Sequence, residues 1–416
     1  MKKGKKIFLK CVGIILGVVA LVCVLGAIAN VITLKINTNK IQNFPNCAKE
    51  DALVPVLDEN GYYTFTTDEE FKILDFSDTH IGGGWLSFKK DAMALNAVAA
   101  MVAAEKPDLV IITGDVVYPV GVQSGTLNNK TSATLFAQLM EQLGVYWTVN
   151  FGNHDTEIYS YYSRKAISEF YESEEFEHCL FQAGPEDIDG YGNTVINVKN
   201  SKGLITQSLV LMDSHSYTDH DYFGLMWKYD NIHENQIEWY KNTINSLNEY
   251  NGKVIASLGD EISAEDIAKY ETVKSLMFIH IPLEEYGTAW NEYRANGYKN
   301  TEDTVFHYGV AGEPDEKVYC GINHDEVFET VLELGSTKGI FCGHDHKNNY
   351  SIEYKGVRLT YAMSVDYLAY IGISKEGRQR GCTTISVSPD TTFEIQPHNY
   401  YTENYETVYP KEEVTM

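Results

Sequence analysis

The sequence predicts an α/β fold carried behind an N-terminal transmembrane helix. Three observations point there. An uncharged apolar stretch opens the chain, short apolar runs alternate with amphipathic ones from residue 71 onward, and polar residues follow several of those runs directly. Strands alternating with helices imply an α/β architecture.

The chain begins MKKGKKIFLK and then runs from Cys11 to Leu34 without a charge. Those 24 residues are long enough to cross a bilayer as a helix. Four lysines among the first six residues should stay cytoplasmic, which puts the body outside the cytoplasm. Residues 1–35 are therefore read as a Lys-rich tip and a single-pass anchor in the cell membrane. The competing reading is a cleaved signal peptide and a secreted body, since Ala27-Ile28-Ala29 resembles a small-x-small cleavage site. Val31, Ile32 and Leu34 prolong the apolar run past that site, which favours an uncleaved anchor. Residues 36–70 are polar and read as an irregular stalk, 71–397 as the folded domain, and 398–416 as an acidic, peripheral or disordered tail.

The formal net charge is −25. Eight lysines and no acid lie before Glu50, so residues 50–416 carry 25 basic against 58 acidic side chains, a balance of −33. Such a body repels polyanions, and nucleic acid is excluded as a partner. A small phosphate ester can still bind where metal cations dominate the local field. The seven cysteines contain no CxxC pair, which argues against a disulfide framework and against a zinc–cysteine site.

Phe71–Phe76 reads as the first buried strand of the body. Asp91–Lys106 is a helix stopped by Pro107. Strands follow at Leu109–Thr113, Tyr146–Asn150, Ser208–Met212, Leu276–Ile281 and Gly339–Cys342, with helices at Glu234–Leu247 and Asp325–Leu334. Ser351–Tyr361 reads as a hairpin turning at Lys355-Gly356, and Cys382–Val387 closes the set.

Five polar segments sit at strand ends: Asp78-Thr79-His80, Gly114-Asp115, Gly152-Asn153-His154-Asp155, His280, and Gly343-His344-Asp345-His346. In open α/β sheets, sites form outside the carboxyl ends of strands, so these segments should share one rim. They offer carboxylate, imidazole and amide donors and no thiolate, a set suited to zinc, iron or manganese. Alternate residues of an extended segment share a face, so Asp78 and His80 can reach one ion together. His344 and His346 have the same spacing and could each serve a different ion of a pair. Each segment alone is weak; together they hold five of the twelve histidines.

The order D-x-H, GD, GNHD, H, GHxH resembles the calcineurin-like metallophosphoesterases over about residues 71–390. His280-Ile281-Pro282-Leu283-Glu284-Glu285-Tyr286, Gly190-Tyr191-Gly192-Asn193, and Gln236 to Tyr240 resemble the branch holding the plant purple-acid-phosphatase-29-like and yeast Dcr2-like phosphatases. The resemblance implies a four-layer αββα sandwich and two metal ions (Fe, Mn or Zn). It implies Asp78, His80 and His346 on the first ion, Asn153, His280 and His344 on the second, and Asp115 bridging both. It also implies a phosphate-ester substrate attacked by a metal-bridging hydroxide, with His154 serving the leaving oxygen or the phosphoryl charge. Asn153 and His154 are candidates for binding substrate, and Arg164 is read either as binding a phosphate oxygen or as forming a surface salt bridge with acidic neighbours such as Glu169 and Glu172. Tyr118 stands where purple acid phosphatases carry a tyrosinate ligand, but His80 is also present, so packing is the favoured role.

The long acidic and aromatic segment Tyr159–Tyr191 is read as a lid over the site or as a solvated insert. Asp213, His215, His220 and Asp221 are read as a polar loop. The leading function is a phosphomonoesterase. Its rivals are a phosphodiesterase on nucleotide or lipid-linked esters and an inactive membrane-bound binding module.

Overall fold

The computed structural model describes residues 2–370, 377 and 379–414. The strands in chain order are β1 Val56–Leu57, β2 Tyr63–Thr66, β3 Phe71–Phe76, β4 Leu109–Ile112, β5 Trp147–Val149, β6 Thr194–Lys199 and β7 Ile205–Leu211. They continue as β8 Ser275–Phe278, β9 Thr304–Tyr308, β10 Thr337–Cys342, β11 Ser351–Tyr354, β12 Val357–Tyr361, β13 Gly381–Val387 and β14 Phe393–Asn399. They form two sheets. One has the order β14-β13-β3-β4-β5, the other β1-β2-β6-β7-β8-β10-β12-β11-β9. The strands that carry the polar segments run parallel, β3 with β4 and β4 with β5 in one sheet, β8 with β10 in the other.

Alternation along these strands builds four layers. Phe71, Ile73, Leu109 and Ile111 meet Leu209, Leu276, Phe278 and Phe341 between the sheets. The alternate residues Leu74, Phe76, Val110 and Ile112 face a core shared with helices Phe88–Glu105 and Asn129–Leu143. On the far side, Val210, Met277 and Ile340 face helices Glu234–Leu258 and Glu284–Ala295. A period of two thus feeds opposite faces of each sheet, and every sheet face is covered by an apolar layer. This is the α/β architecture expected, with a helix beyond each sheet.

The expected strands and helices occur, most with their ends shifted by a few residues, while the helix expected over Glu234–Leu247 runs on to Leu258. The hairpin turns at Lys355 and Gly356, both with left-handed φ, as a two-residue turn needs. β2, β6, β9 and β14 escaped the pattern reading. Polar residues such as Asn197 in β6 and the exposed alternation of β14 break the apolar runs.

Two segments are more ordered than the sequence suggested. The helix that opens the chain runs from Lys2 to Ile41, past the expected anchor, and Ile41 and Phe44 enter the core beside helices Phe88–Glu105 and Asn129–Leu143. Asn37 Nδ2 donates to the Phe88 carbonyl at 3.1 Å. The span read as a stalk therefore holds a helix end and two strands. The terminal segment is docked as well. Tyr400 is buried, the Tyr409 amide donates to Asn96, and the Tyr409 ring meets Phe44 edge to face at 5.5 Å. Tyrosines supply apolar area that the acidic composition of this tail concealed.

Candidate metal centre

The five polar segments converge at the carboxyl ends of β3, β4, β5, β8 and β10. Asp78 N donates to Gly114 O, His80 N to Asp115 O, and Gly343 N to His280 O, which ties the strand ends to one another. Asp78, His80, Asp115 and His344 all have left-handed φ, between 48° and 74°. Such backbone costs about 1–3 kcal/mol per residue and persists where surrounding structure enforces it. The glycines matter here for close approach. A Cβ on Gly114 would run into the His280 imidazole, and one on Gly152 into the Asp115 carboxylate.

Two donor groups share one residue. Asp78, His80, Asp115 and His346 lie together and buried, and Asp115, His280 and His344 form the adjoining group. The Asp115 Oδ2 atom stands 3.2 Å from His80 Nε2 and 3.4 Å from His280 Nε2. Asn153 Oδ1 lies 3.2 Å from His280 Nε2. Asp78 Oδ1 is buried without a hydrogen bond, 3.4 Å from His346 Nε2 and 3.8 Å from His80 Nε2. A buried carboxylate oxygen lacking a hydrogen bond while facing two imidazoles calls for a cation. The oxygen and nitrogen donors fit borderline metals and exclude a thiolate site. All seven expected ligands are thus brought together.

Electrostatics within the cluster are strongly mutual. Burial raises the Asp115 carboxyl, but His280 and His154 hold it well below its usual range. Burial lowers His280, but Asp115 and Asp78 outweigh it and lift the imidazole to about 9. His346 is lifted in the same way by Asp78 and Asp366, while burial and the His280 charge push His344 down.

Two supporting carboxylates lie outside the motifs. Asp366 follows β12 and accepts from His346 Nδ1 at 3.2 Å, with His80 Nδ1 at 3.8 Å. Three backbone amides, from Leu368, Ala369 and Tyr370, fix it. The Thr113 carbonyl takes the same role for His280 Nδ1 at 2.8 Å. Such partners set the tautomer and the ring orientation. His154 stands over the centre, a quarter exposed, with Nδ1 2.7 Å from Glu157 Oε1. Burial opposes its charge, but Asp115 and Glu157 raise its pKa. The adjacent Asp155 does something else: it accepts amides from Asp115, Val117 and Gly152 and organises the loops.

Two expectations are corrected, for Arg164 and for the segment Tyr159–Tyr191. Arg164 does not reach the cleft. Its guanidinium pairs with Asp213 and donates to the Gly152 carbonyl at 2.9 Å, so it braces the GNHD loop from behind. The Tyr118 hydroxyl donates to Gln123 at 3.0 Å while its ring stacks on His80 at 4.9 Å, a packing role. Burial and the nearby carboxylates of Asp366, Glu157 and Asp115 push its pKa up. The segment Tyr159–Tyr191 packs Ile167, Phe170 and Tyr171 into the core and does not cover the site. The cleft, about 160 Å³, is walled instead by Tyr118, Trp227, Tyr229, Tyr319 and Tyr370. Asp213 and His215 form a hydrogen-bonded loop as expected, held by Gln236, which donates to the Asp213 carbonyl and to Asn193.

This fold and this centre define a metallophosphoesterase. A family model for calcineurin-like phosphoesterases matches residues 71–348, and the chain belongs to that family. It is 30% identical to a protein named probable inactive purple acid phosphatase 14 from Arabidopsis thaliana over 327 residues, 74% of this chain and 73% of the relative. It is 27% identical to the phosphatase DCR2 of Saccharomyces cerevisiae over 69% of this chain and 46% of that protein. A dimetal phosphatase from Danio rerio superposes with a TM-score of 0.48 at 12% identity, covering 80% of this chain and 97% of that one. The relatives fall in the branch that the sequence resembled.

Proposed function

We propose that this chain hydrolyses phosphate monoesters with two metal ions, its catalytic domain held outside the cytoplasm by the N-terminal helix. The observation that carries the reading is the Asp115 Oδ2 atom between His80 Nε2 and His280 Nε2. Asp78, His80 and His346 would hold one ion, Asn153, His280 and His344 the other, and Asp115 both. Such a pair supplies Lewis-acid activation of water and of a phosphoryl oxygen.

The chain's own groups do the rest. Asp366 and the Thr113 carbonyl keep the imidazoles of His346 and His280 oriented. The Glu157 carboxylate holds His154 Nδ1, leaving Nε2 as the atom that carries a proton to the leaving oxygen. Asp115 and Glu157 outweigh burial and raise the His154 pKa, which suits a proton donor. The small aromatic cleft supports a single phosphoryl group with a compact neighbour. The word inactive stands in the name of the Arabidopsis relative. Here every expected donor and His154 are present, which supports turnover. The apolar helix Ile7–Ile41, whose most apolar stretch is unburied, supports the anchor.

The test uses the full-length chain in detergent, purified without chelator. Metal content is measured beside turnover of p-nitrophenyl and bis(p-nitrophenyl) phosphate. Two ions per chain and preference for the monoester are expected. Preference for the diester would overturn the monoesterase reading, and metal without turnover of either ester would leave a binding module.

A further inference from the structure

The N-terminal helix does more than tether the domain. Between Lys10 and Asn30 lie 19 uncharged residues, Cys11 to Ala29, and Asn30 is the first amide side chain on the helix. At 1.5 Å per residue they span about 28 Å, close to the hydrocarbon thickness of a bilayer. Asn30 is also where the helix grips the domain. Its Nδ2 donates to the Gly125 carbonyl at 3.1 Å, and its Oδ1 accepts the Trp85 amide at 2.8 Å. The domain thus meets the helix at the level where the hydrocarbon should end.

Parts of the domain reach further down. A groove of about 660 Å³ is lined on one side by Val22, Leu25 and Gly26 of the helix and on the other by Trp85, Leu86 and Tyr161. The Trp85 indole nitrogen is 3.8 Å from where a Gly26 Cβ would stand. Gly26 lies four residues before Asn30, about 6 Å deeper along the helix axis. Trp85, Leu86 and Tyr161 are 43%, 45% and 68% exposed, and Val122, next in the chain to the groove-lining Gly121, is 85% exposed. Large apolar side chains left in water at this density mark an interaction face. Trp and Tyr at this depth suit the boundary between headgroups and acyl chains.

We propose that the face formed by Trp85, Leu86, Val122 and Tyr161 is seated in the outer leaflet of the bilayer. The proposal rests on the anchor reading, and its occupant is lipid. Continuity with the apolar helix argues for that occupant, because the groove walls are the helix itself. The seat is also connected to the cleft. The short helix Gly121–Ser124 touches the groove through Gly121, while Gln123 on it holds the Tyr118 hydroxyl at the cleft wall. One short helix thus joins the seated face to a wall of the cleft.

The test reads tryptophan fluorescence of the full-length chain in phosphatidylcholine vesicles brominated on the acyl chains. The helix Lys2–Ile41 contains no tryptophan, so quenching reports the domain alone. Quenching is expected in the natural chain, retained in Trp227→Phe and lost in Trp85→Phe. Leu86→Trp in the Trp85→Phe background should restore it, which guards against a folding defect. Resistance to carbonate extraction reports the anchor independently. A chain that resists extraction yet shows quenching unaffected by Trp85→Phe, or none, would overturn the seat and leave the anchor standing. A second copy covering the face would give that result. A chain that washes off, or loses its first 29 residues, would overturn both.

Discussion

The metal centre and the membrane-proximal face break the same rule in opposite directions. At the centre, carboxylates and imidazoles are fully buried: Asp78, His80, Asp115 and His280 expose 1% or less of their surface. At the face, Trp85, Leu86 and Val122 stand in solvent. Burying charge or exposing apolar surface is costly unless something outside the polypeptide compensates. The donors of the centre suit cations, and the proposed complement of the face is a lipid leaflet. Each inversion therefore indicates the chemistry of what completes it. The centre is held by left-handed backbone and interlocked loops, the face by the Leu86 amide donating to the Ser124 carbonyl and the Tyr161 amide donating to the Leu127 carbonyl.

The comparison is most easily broken at the bridge. Asp115→Asn should lose both metals and reduce p-nitrophenyl phosphate turnover to background, measured by metal analysis and initial rates. Retained binuclear metal would mean that the carboxylate is not shared. Arg164→Met comes next and should act on folding. It leaves Asp213 buried without its guanidinium, a change that costs about 3–5 kcal/mol, seen as a fall in Tm. An intact Tm with a raised KM would return Arg164 to the substrate.

Smaller effects sharpen the picture. Asp366→Asn should weaken metal affinity about 10–100-fold without unfolding the chain, measured by titration of metal-free protein. Glu157→Gln removes the negative charge beside His154. The imidazolium loses stabilisation, its pKa falls, and the alkaline limb of the kcat profile should move down by roughly 1 pH unit or more. An unmoved limb would mean that His154 is not the titrating acid. Smallest of all, Leu86→Ala should change unfolding free energy by less than about 0.5 kcal/mol. Leu74→Ala in the core should cost about 2–5 kcal/mol. Equal effects would show that the exposed face is part of the fold's own stability.

Much of the centre was legible because its ligands follow strands directly. A strand end fixes position, and the D-x-H and H-x-H spacings put donors on one side, so His80, His280 and His346 could be named from the chain. Glu157 and Asp366 were not. Each was one acid among 58, in no motif, and its role depends on a contact. Asp366 lies 20 residues from His346 and far from His80 in the chain, and only the packing of β12 brings it to either. Arg164 misled for the converse reason: a cation near a phosphoesterase motif invites a phosphate, but Asp213, 49 residues on, takes it first.

The sequence by itself determined the alternation of strands and helices, the donor chemistry and the length of the apolar N-terminal stretch. These follow from periodicity, residue type and residue count, which are local properties. The tertiary structure alone decided which carboxylates orient the histidines, which cation is already paired, and at what depth the domain meets the helix. Those depend on side chains distant in the chain meeting at hydrogen-bond range, and no local pattern encodes that.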